Sequence, residues 1–235
     1  MASDRKIAII PARGGSKRIP RKNIRNFCGK PIVAYSIEAA IASEVFDEVM
    51  VSTDDLEISE IAKKYGAKVP FMRSAEMSTD MAMTAPVLEE VLNEYKKRGN
   101  MFSHCACIYP CAPFVTSDRL KEGMATLISS NADEVLPIVK FSYPPQRCLV
   151  IRDECVTMLY PDNFNKRSQD LEPIYHDAGQ FYLYKTSVIL SMDKGFDKRI
   201  VPLVLPENEA QDIDTEEDWQ IAEMKYQICV GGNIE

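Results

Sequence analysis

Between Pro11 and Asn23 the chain gathers five basic side chains, Arg13, Lys17, Arg18, Arg21 and Lys22, around Gly14, Gly15 and Ser16. Adjacent glycines let the backbone turn so that successive amides face an anion, with no Cβ to block its approach. The segment reads as a triphosphate site; a solvated basic loop is the alternative that local composition leaves open. Spacing excludes two other anion motifs. A Walker loop needs four residues between its first glycine and Gly-Lys-Ser/Thr, and a dinucleotide fingerprint needs three spaced glycines. Gly14-Gly15-Ser16-Lys17 supplies neither.

A second constellation stands near the other end. Asp212 and Asp214 flank Ile213, so in an extended segment both carboxylates project to one side. Two hard oxygen ligands suit Mg2+, which takes one or two carboxylates and completes its shell with phosphates and waters. Taken locally, the plainer role is that Asp214 or Thr215 caps the following helix, with Thr215 and Asp218 as a loose capping box. Cys105 and Cys107 fall at i, i+2 in an apolar run and Cys111 lies past Pro110. They read as small buried thiols rather than a metal set, and His104, which opens that run, reads as structural.

Positioning these groups falls to alternating short apolar runs and amphipathic stretches from Lys6 to Lys140, the pattern of βα units in a mostly parallel sheet covered on both faces. Strands are predicted at residues 6–10, 48–53, 104–109 and 134–140. Helices are predicted at 32–42, at 56–65 with Gly66 as its left-handed terminator, along the Val87, Leu88, Val91, Leu92 and Tyr95 stripe to Gly99, and at 116–129 with Thr116 as cap. The rhythm breaks at Phe141. Residues 141–177, with Tyr143-Pro144-Pro145 and two short alternating runs, 148–152 and 155–159, read as an inserted hairpin and arm, a kind of protrusion that commonly makes dimer contacts. Strands at 179–184 and 201–205 and a helix at 215–226 follow.

Length and charge set the outer limits. At 235 residues there is room for one α/β core plus an appendage. With 46% hydrophobic and 27% charged residues the chain is expected to fold. A net charge of −7 argues against nucleic-acid binding by broad phosphate neutralisation. Seven irregularly spaced cysteines without a secretory signal predict reduced thiols in the cytoplasm. The apolar runs are far shorter than the roughly 20 residues of a spanning helix, so no membrane segment is expected.

Four motifs taken together carry a resemblance. Ala12-Arg13-Gly14-Gly15-Ser16-Lys17 with Lys22-Asn23, Val51-Ser52-Thr53-Asp54, Arg73-Ser74-Ala75-Glu76 with Asp80, and Asp212-Ile213-Asp214-Thr215 resemble the acylneuraminate (CMP-sialic acid) cytidylyltransferases. The match runs in order over nearly the whole chain. Residues 109–114 and 175–181 narrow it toward the pseudaminic acid cytidylyltransferases of bacteria that decorate their flagella. They also mark a departure: sialic acid enzymes usually carry an Arg and an Asn where His176 and Ala178 stand, and His cannot replace the bidentate geometry of Arg.

The resemblance implies a Rossmann-like three-layer nucleotidyltransferase fold with a mostly parallel mixed sheet, a core of residues 1–140 and 178–235, and the 141–177 arm. It implies CMP transfer from CTP to the anomeric hydroxyl of an acidic sugar, with pyrophosphate leaving. Arg13, Gly14, Gly15 and Ser16 would hold phosphates, Lys22 would offset charge on the departing pyrophosphate, and Asn23 would lie near the nucleotide. Arg73, Ala82 and Thr84 would recognise cytosine and ribose, and Asp212 and Asp214 would hold Mg2+. Asp214, Arg13 and Lys22 are the expected catalytic set. Tyr109, Arg147, Arg167, Gln169 and His176 are candidates for the sugar, the arm residues in their own subunit or in a homodimer partner. N-acetylneuraminate, legionaminate and 3-deoxy-manno-octulosonate are alternative acceptors, and a nucleotide-binding regulator without turnover is the reading from another class.

Overall fold

The first apolar run forms strand β1 (Lys6–Pro11), whose residues Ile7 to Ile10 are fully buried in the computed structural model, which describes residues 4–191 and 198–231. A run without alternation needs cover on both faces, and the elements that follow supply it. A two-residue hairpin, β2 (Asn26–Phe27) and β3 (Lys30–Pro31), leads into α1 (Ile32–Ala42), β4 (Glu48–Ser52), α2 (Leu56–Lys64), α3 (Thr84–Lys97), β5 (His104–Ile108), α4 (Ser117–Ser129) and β6 (Glu134–Lys140). Thr116 accepts from the Arg119 amide and Gly66 is left-handed at φ 94°, as predicted, and Asp55, which the sequence reading did not single out, caps α2 by accepting from the Ile58 amide.

Beyond β6 comes the predicted hairpin, β7 (Leu149–Arg152) paired with β8 (Cys155–Met158), a separate antiparallel ribbon. Its turn residues Asp153 and Glu154 both have positive φ, 48° and 61°, the twist that a two-residue hairpin turn requires. The main sheet takes the chain back earlier than the 141–177 boundary predicts. Strand β9 (Tyr175–Asp177) pairs antiparallel with β6 from Ile138 to Lys140, so the protrusion ends at Ile174. Then follow β10 (Phe181–Lys185), the short α5 (Thr186–Leu190), β11 (Ile200–Leu205) and α6 (Glu216–Gly231). Helix α6 runs past the predicted end at Tyr226 because nothing from Gln227 to Val230 breaks a helix.

The sheet order is β11-β6-β10-β5-β1-β4, with β9 also on β6. It is mixed, as expected: β4, β1 and β5 run parallel, β10 is antiparallel to both β5 and β6, and β11 is parallel to β6. One face packs on α1, α2 and α4 through Val33, Ile37, Ile58, Leu120 and Leu127. The other packs on α3 and α5 through Leu88, Val91, Tyr95 and Ile189. A third cluster joins distant segments: Ile19, Phe27, Ile32, Tyr35, Phe114, Ile213, Trp219 and Ala222. Among the described residues no helix is long and apolar enough to cross a membrane.

Candidate active site

The loop after β1 is tethered before it can bind anything. The Ala12 amide donates to the Ser52 carbonyl at 2.9 Å, and buried Asn23 donates from Nδ2 to the Arg13 carbonyl at 2.8 Å while its Oδ1 accepts from the Cys111 thiol. Asn23 thus lines the cleft and also braces Arg13. Gly14 differs from its expected role. Its amide donates to Asp54 Oδ1 at 2.9 Å, and a Cβ there would lie 2.7 Å from Asp55 Oδ2. Close approach to Asp54 and Asp55 is what requires this glycine, and neither Gly14 nor Gly15 lines the cleft. A Cβ on Gly15 would meet nothing within 4 Å.

Asp55 does a second job. It pairs through both oxygens with Arg21 (2.5 and 3.1 Å), a residue held at φ 55°, ψ 28° immediately before Lys22. Non-glycine residues rarely occupy this region, so the ion pair with Asp55, joined by Glu57, fixes the turn that aims Lys22. The Arg21 guanidinium and the Ile58 amide hold the Asp55 carboxyl below the usual carboxylate range. A depressed folded-state pKa gives stabilisation that is complete above the unfolded value, about 3.9, and lost as pH falls through the folded value. Asp55→Asn keeps a cap acceptor but removes the charge. It is expected to cost roughly 1 kcal/mol near neutral pH after solvent screening. The gap should close below about pH 4, as read by thermal unfolding from pH 7 to 3; a gap independent of pH would remove the charge from the explanation.

At the other wall, Ile213 is 1% exposed within the third cluster. Burial of this one side chain turns the flanking Asp212 and Asp214 the other way. The capping role falls to groups other than the Asp214 carboxylate: Thr215 Oγ1 accepts from the Asp218 amide (3.2 Å) and Asp218 accepts from the Thr215 amide (2.8 Å). The capping box therefore leaves the Asp214 carboxylate for cations. Arg18 pairs with it at 2.8 Å, and Lys22 Nζ lies 3.5 Å from it while donating to the Ile213 carbonyl at 2.7 Å. Partial desolvation, then the neighbouring Asp214 charge, push the Asp212 carboxyl up, and Lys22 opposes this.

These walls enclose a cleft of about 350 Å³. Arg13, Ser16, Lys22, Asn23, Arg73, Ala82, Thr84, Tyr109, Asp212 and Asp214, all singled out by sequence, line it together. Arg73 is 8% exposed and commits Nε and Nη2 to Ser52, at 3.0 and 2.5 Å; burial pulls its pKa down. Asp80 ion-pairs with both Arg13 and Lys17, bringing the 76–83 segment onto the basic loop.

The remaining sugar candidates are not brought into this cleft. His176 lies in an adjoining cavity that shares Asp212, its Nδ1 2.8 Å from the Asp177 carbonyl and its ring against Phe141. Arg147, Arg167 and Gln169 are exposed on the arm, where Arg147 bonds Ser168 and Arg167 pairs with Asp170. Sequence reasoning read Cys111 as a buried thiol, which burial does push up to about 12, without placing it at the cleft, and it missed Gly179, left-handed at φ 64° beside Asp212. The signal for Gly179 was a glycine opening a strand-like run. Cys105 and Cys107 are fully buried, as expected, and burial raises both thiols, Cys105 to about 12.

The donor set fits Mg2+. Asp212 and Asp214 are hard oxygen ligands on one side of a short segment, and Asp212 feels the like charge of Asp214, which Lys22 opposes. Among the described residues no group of three or more His, Cys, Asp or Glu side chains could hold a metal. Two protein ligands suit an ion that keeps waters and takes phosphate oxygens.

A family model described as cytidylyltransferase matches residues 7–227. Over 223 residues the chain is 40% identical to a pseudaminic acid cytidylyltransferase of Campylobacter jejuni, covering 94% of this chain and 96% of that one. It is 32% identical over 229 residues to a CMP-N,N'-diacetyllegionaminic acid synthase of Legionella pneumophila, covering 94% and 96%. A solved CMP:2-keto-3-deoxy-manno-octonic acid synthetase complexed with CTP superposes with a TM-score of 0.71 at 16% identity, over 97% of this chain and 99% of that chain, and so shares the fold. With its basic loop and paired aspartates facing one cleft and the family match running through both, the chain belongs to the cytidylyltransferases.

Proposed function

We propose that this cytidylyltransferase transfers CMP from CTP to the anomeric hydroxyl of pseudaminic acid, a nine-carbon acidic sugar. The sugar hydroxyl gives up its proton to water as its oxygen bonds to the α-phosphorus, the bond from that phosphorus to the bridging oxygen breaks, and pyrophosphate leaves. The observation that carries the reading is the meeting of Lys22 with the Ile213-Asp214 segment across a cleft that also contains Arg13 and Arg73. The acceptor assignment draws on the 40% identity to the Campylobacter jejuni relative.

In this reading Arg13 and Lys22 neutralise the triphosphate and the charge that grows on departing pyrophosphate, a task of positioning and charge stabilisation. Arg73, with Ala82 and Thr84 beside it, faces the base and ribose. Asp212 and Asp214 would hold Mg2+, which when bound supplies positive charge at the α-phosphate and favours ionisation of the attacking hydroxyl. The arm exposes Tyr143 (87%), Ile151 (78%) and Phe164 (68%), apolar surface that a homodimer would cover, and Arg147, Arg167 and Gln169 are available there to a partner's acidic substrate. All seven cysteines are unpaired, which supports work in the reducing cytoplasm.

The test is pyrophosphate release with CTP and a panel of nonulosonic acids, with products identified by mass spectrometry. CMP-pseudaminate is expected. Turnover of N-acetylneuraminate or legionaminate with none of pseudaminate would overturn the acceptor assignment. CTP binding without product from any acid would point instead to a nucleotide-binding regulator.

A further inference from the structure

Strands β9 and β10 run along the same edge of β6 but out of step. Asp177 pairs with Ile138 and Leu183 with Val135, so six residues on one side match three on the other. The Ala178 amide still donates to the Pro137 carbonyl at 3.0 Å, and the surplus beyond it forms a bulge that begins at Gly179, at φ 64° and with its open Cα face 3.8 Å from the Asp212 carboxyl carbon as a Cβ would measure it. Asp177 holds this bulge from two directions. Its Oδ1 accepts from the Gly179 amide at 2.8 Å, and its Oδ2 accepts from the Tyr182 hydroxyl at 2.8 Å. Tyr182 is buried with its ring edge-on to Tyr109 at 5.5 Å, and the Tyr109 amide donates to the Gln180 carbonyl at 2.8 Å. One carboxylate therefore couples the glycine turn behind Asp212 to the aromatic wall of the cleft.

We propose that Asp177 is a positioning residue for the acceptor sugar, acting through Gly179 and the Tyr109–Tyr182 pair rather than by touching CTP. This rests on the cytidylyl-transfer reading above. The sheet order separates the two substrates. Strand β1 delivers the basic loop and the end of β4 holds Arg73 through Ser52, whereas β6, β9 and β10 lie on the far side of β5, which delivers Tyr109. An acceptor attacks the α-phosphate opposite the leaving pyrophosphate, the side on which the bulge backs onto Asp212. The adjoining cavity of about 340 Å³, lined by His176, Asp177 and Asp212, extends that side. It gives a nine-carbon chain room beyond the reacting hydroxyl.

Steady-state kinetics with CTP and acceptor varied independently test the assignment. Asp177→Ala is expected to raise the acceptor KM about tenfold while the CTP KM stays within about twofold. Asp177→Asn keeps an oxygen for the Gly179 amide and a partner for the tyrosine hydroxyl, and should return the acceptor KM to within about threefold of wild type. Tyr182→Phe loses only the tyrosine tie and should fall between. An acceptor KM unmoved in Asp177→Ala, or equal rises in both KM values, would overturn the proposal. Should Asp177→Ala fail to fold, Tyr182→Phe decides by the same criterion. The wild-type acid preference is scored separately: turnover of a different acid overturns the acceptor assignment, and the variants measured with that acid still test Asp177.

Discussion

Asp214→Ala is expected to lower kcat for pyrophosphate release by about 10²–10³-fold while KM for CTP changes less than about threefold. The scaffold around Asp214 does not depend on its carboxylate. Ile213 stays anchored in the third cluster, and the box between Thr215 and Asp218 uses the Asp214 main-chain amide, which alanine retains. What disappears is a charge that faces Arg18 and Lys22 and, in the proposed mechanism, one of two oxygen ligands for Mg2+. Lys22 would then lie beside Asp212 alone. A loss confined to the chemical step follows if the carboxylate acts on charge that develops in the transition state. Arg13→Ala provides the contrast, since a group that also grips the ground-state triphosphate should weaken CTP binding and turnover together. Full turnover by Asp214→Ala at saturating Mg2+ would remove the metal assignment.

The chain's parallel βα half was legible because each of its elements follows a local rule. Ile7 to Ile10 reads as a doubly covered strand, Thr116 caps where its side chain can reach an amide, and Gly66 ends a helix in a conformation that other residues avoid. The meeting of the basic loop with Asp212 and Asp214 was legible for another reason: motifs at opposite ends of the chain made sense only if they shared one ligand. The same local reading failed where tertiary contacts decide. Strand β9 is three residues whose side chains are all exposed, and only its ladder with β6 makes it a strand. Gly14 looked like a phosphate cradle because nothing in sequence reveals that Asp54 and Asp55, forty residues away, press against it. Arg21 read as one more positive charge, whereas its left-handed backbone and bidentate partner make it the joint that aims Lys22.

That joint and the aspartate segment share one support, and Trp219→Ala is expected to remove it at a cost of about 3–5 kcal/mol. The indole is 1% exposed, its face covered by the Arg25 guanidinium at 4.5 Å and its edge set against Phe27 at 5.5 Å. Arg25 also pairs with Glu216 at 2.6 Å, clamping the start of α6 to the end of the basic loop. Truncation leaves a cavity between Phe27, Ile19 and Ile213, three side chains that lie in different segments and cannot all collapse into it. For a chain of this size the midpoint of thermal unfolding should fall by roughly 6–20 °C. As Trp219 is the sole tryptophan, far-UV circular dichroism or calorimetry is the appropriate measure. Turnover should also drop below the new midpoint, because Ile213 turns Asp212 and Asp214 toward Lys22 only while it is packed. Trp219→Phe, which refills most of the volume, should recover much of both losses. A cost under about 1 kcal/mol for the alanine variant would mean that the aspartates are held by the Lys22 and Arg18 contacts alone, and that the third cluster contributes little to building the site.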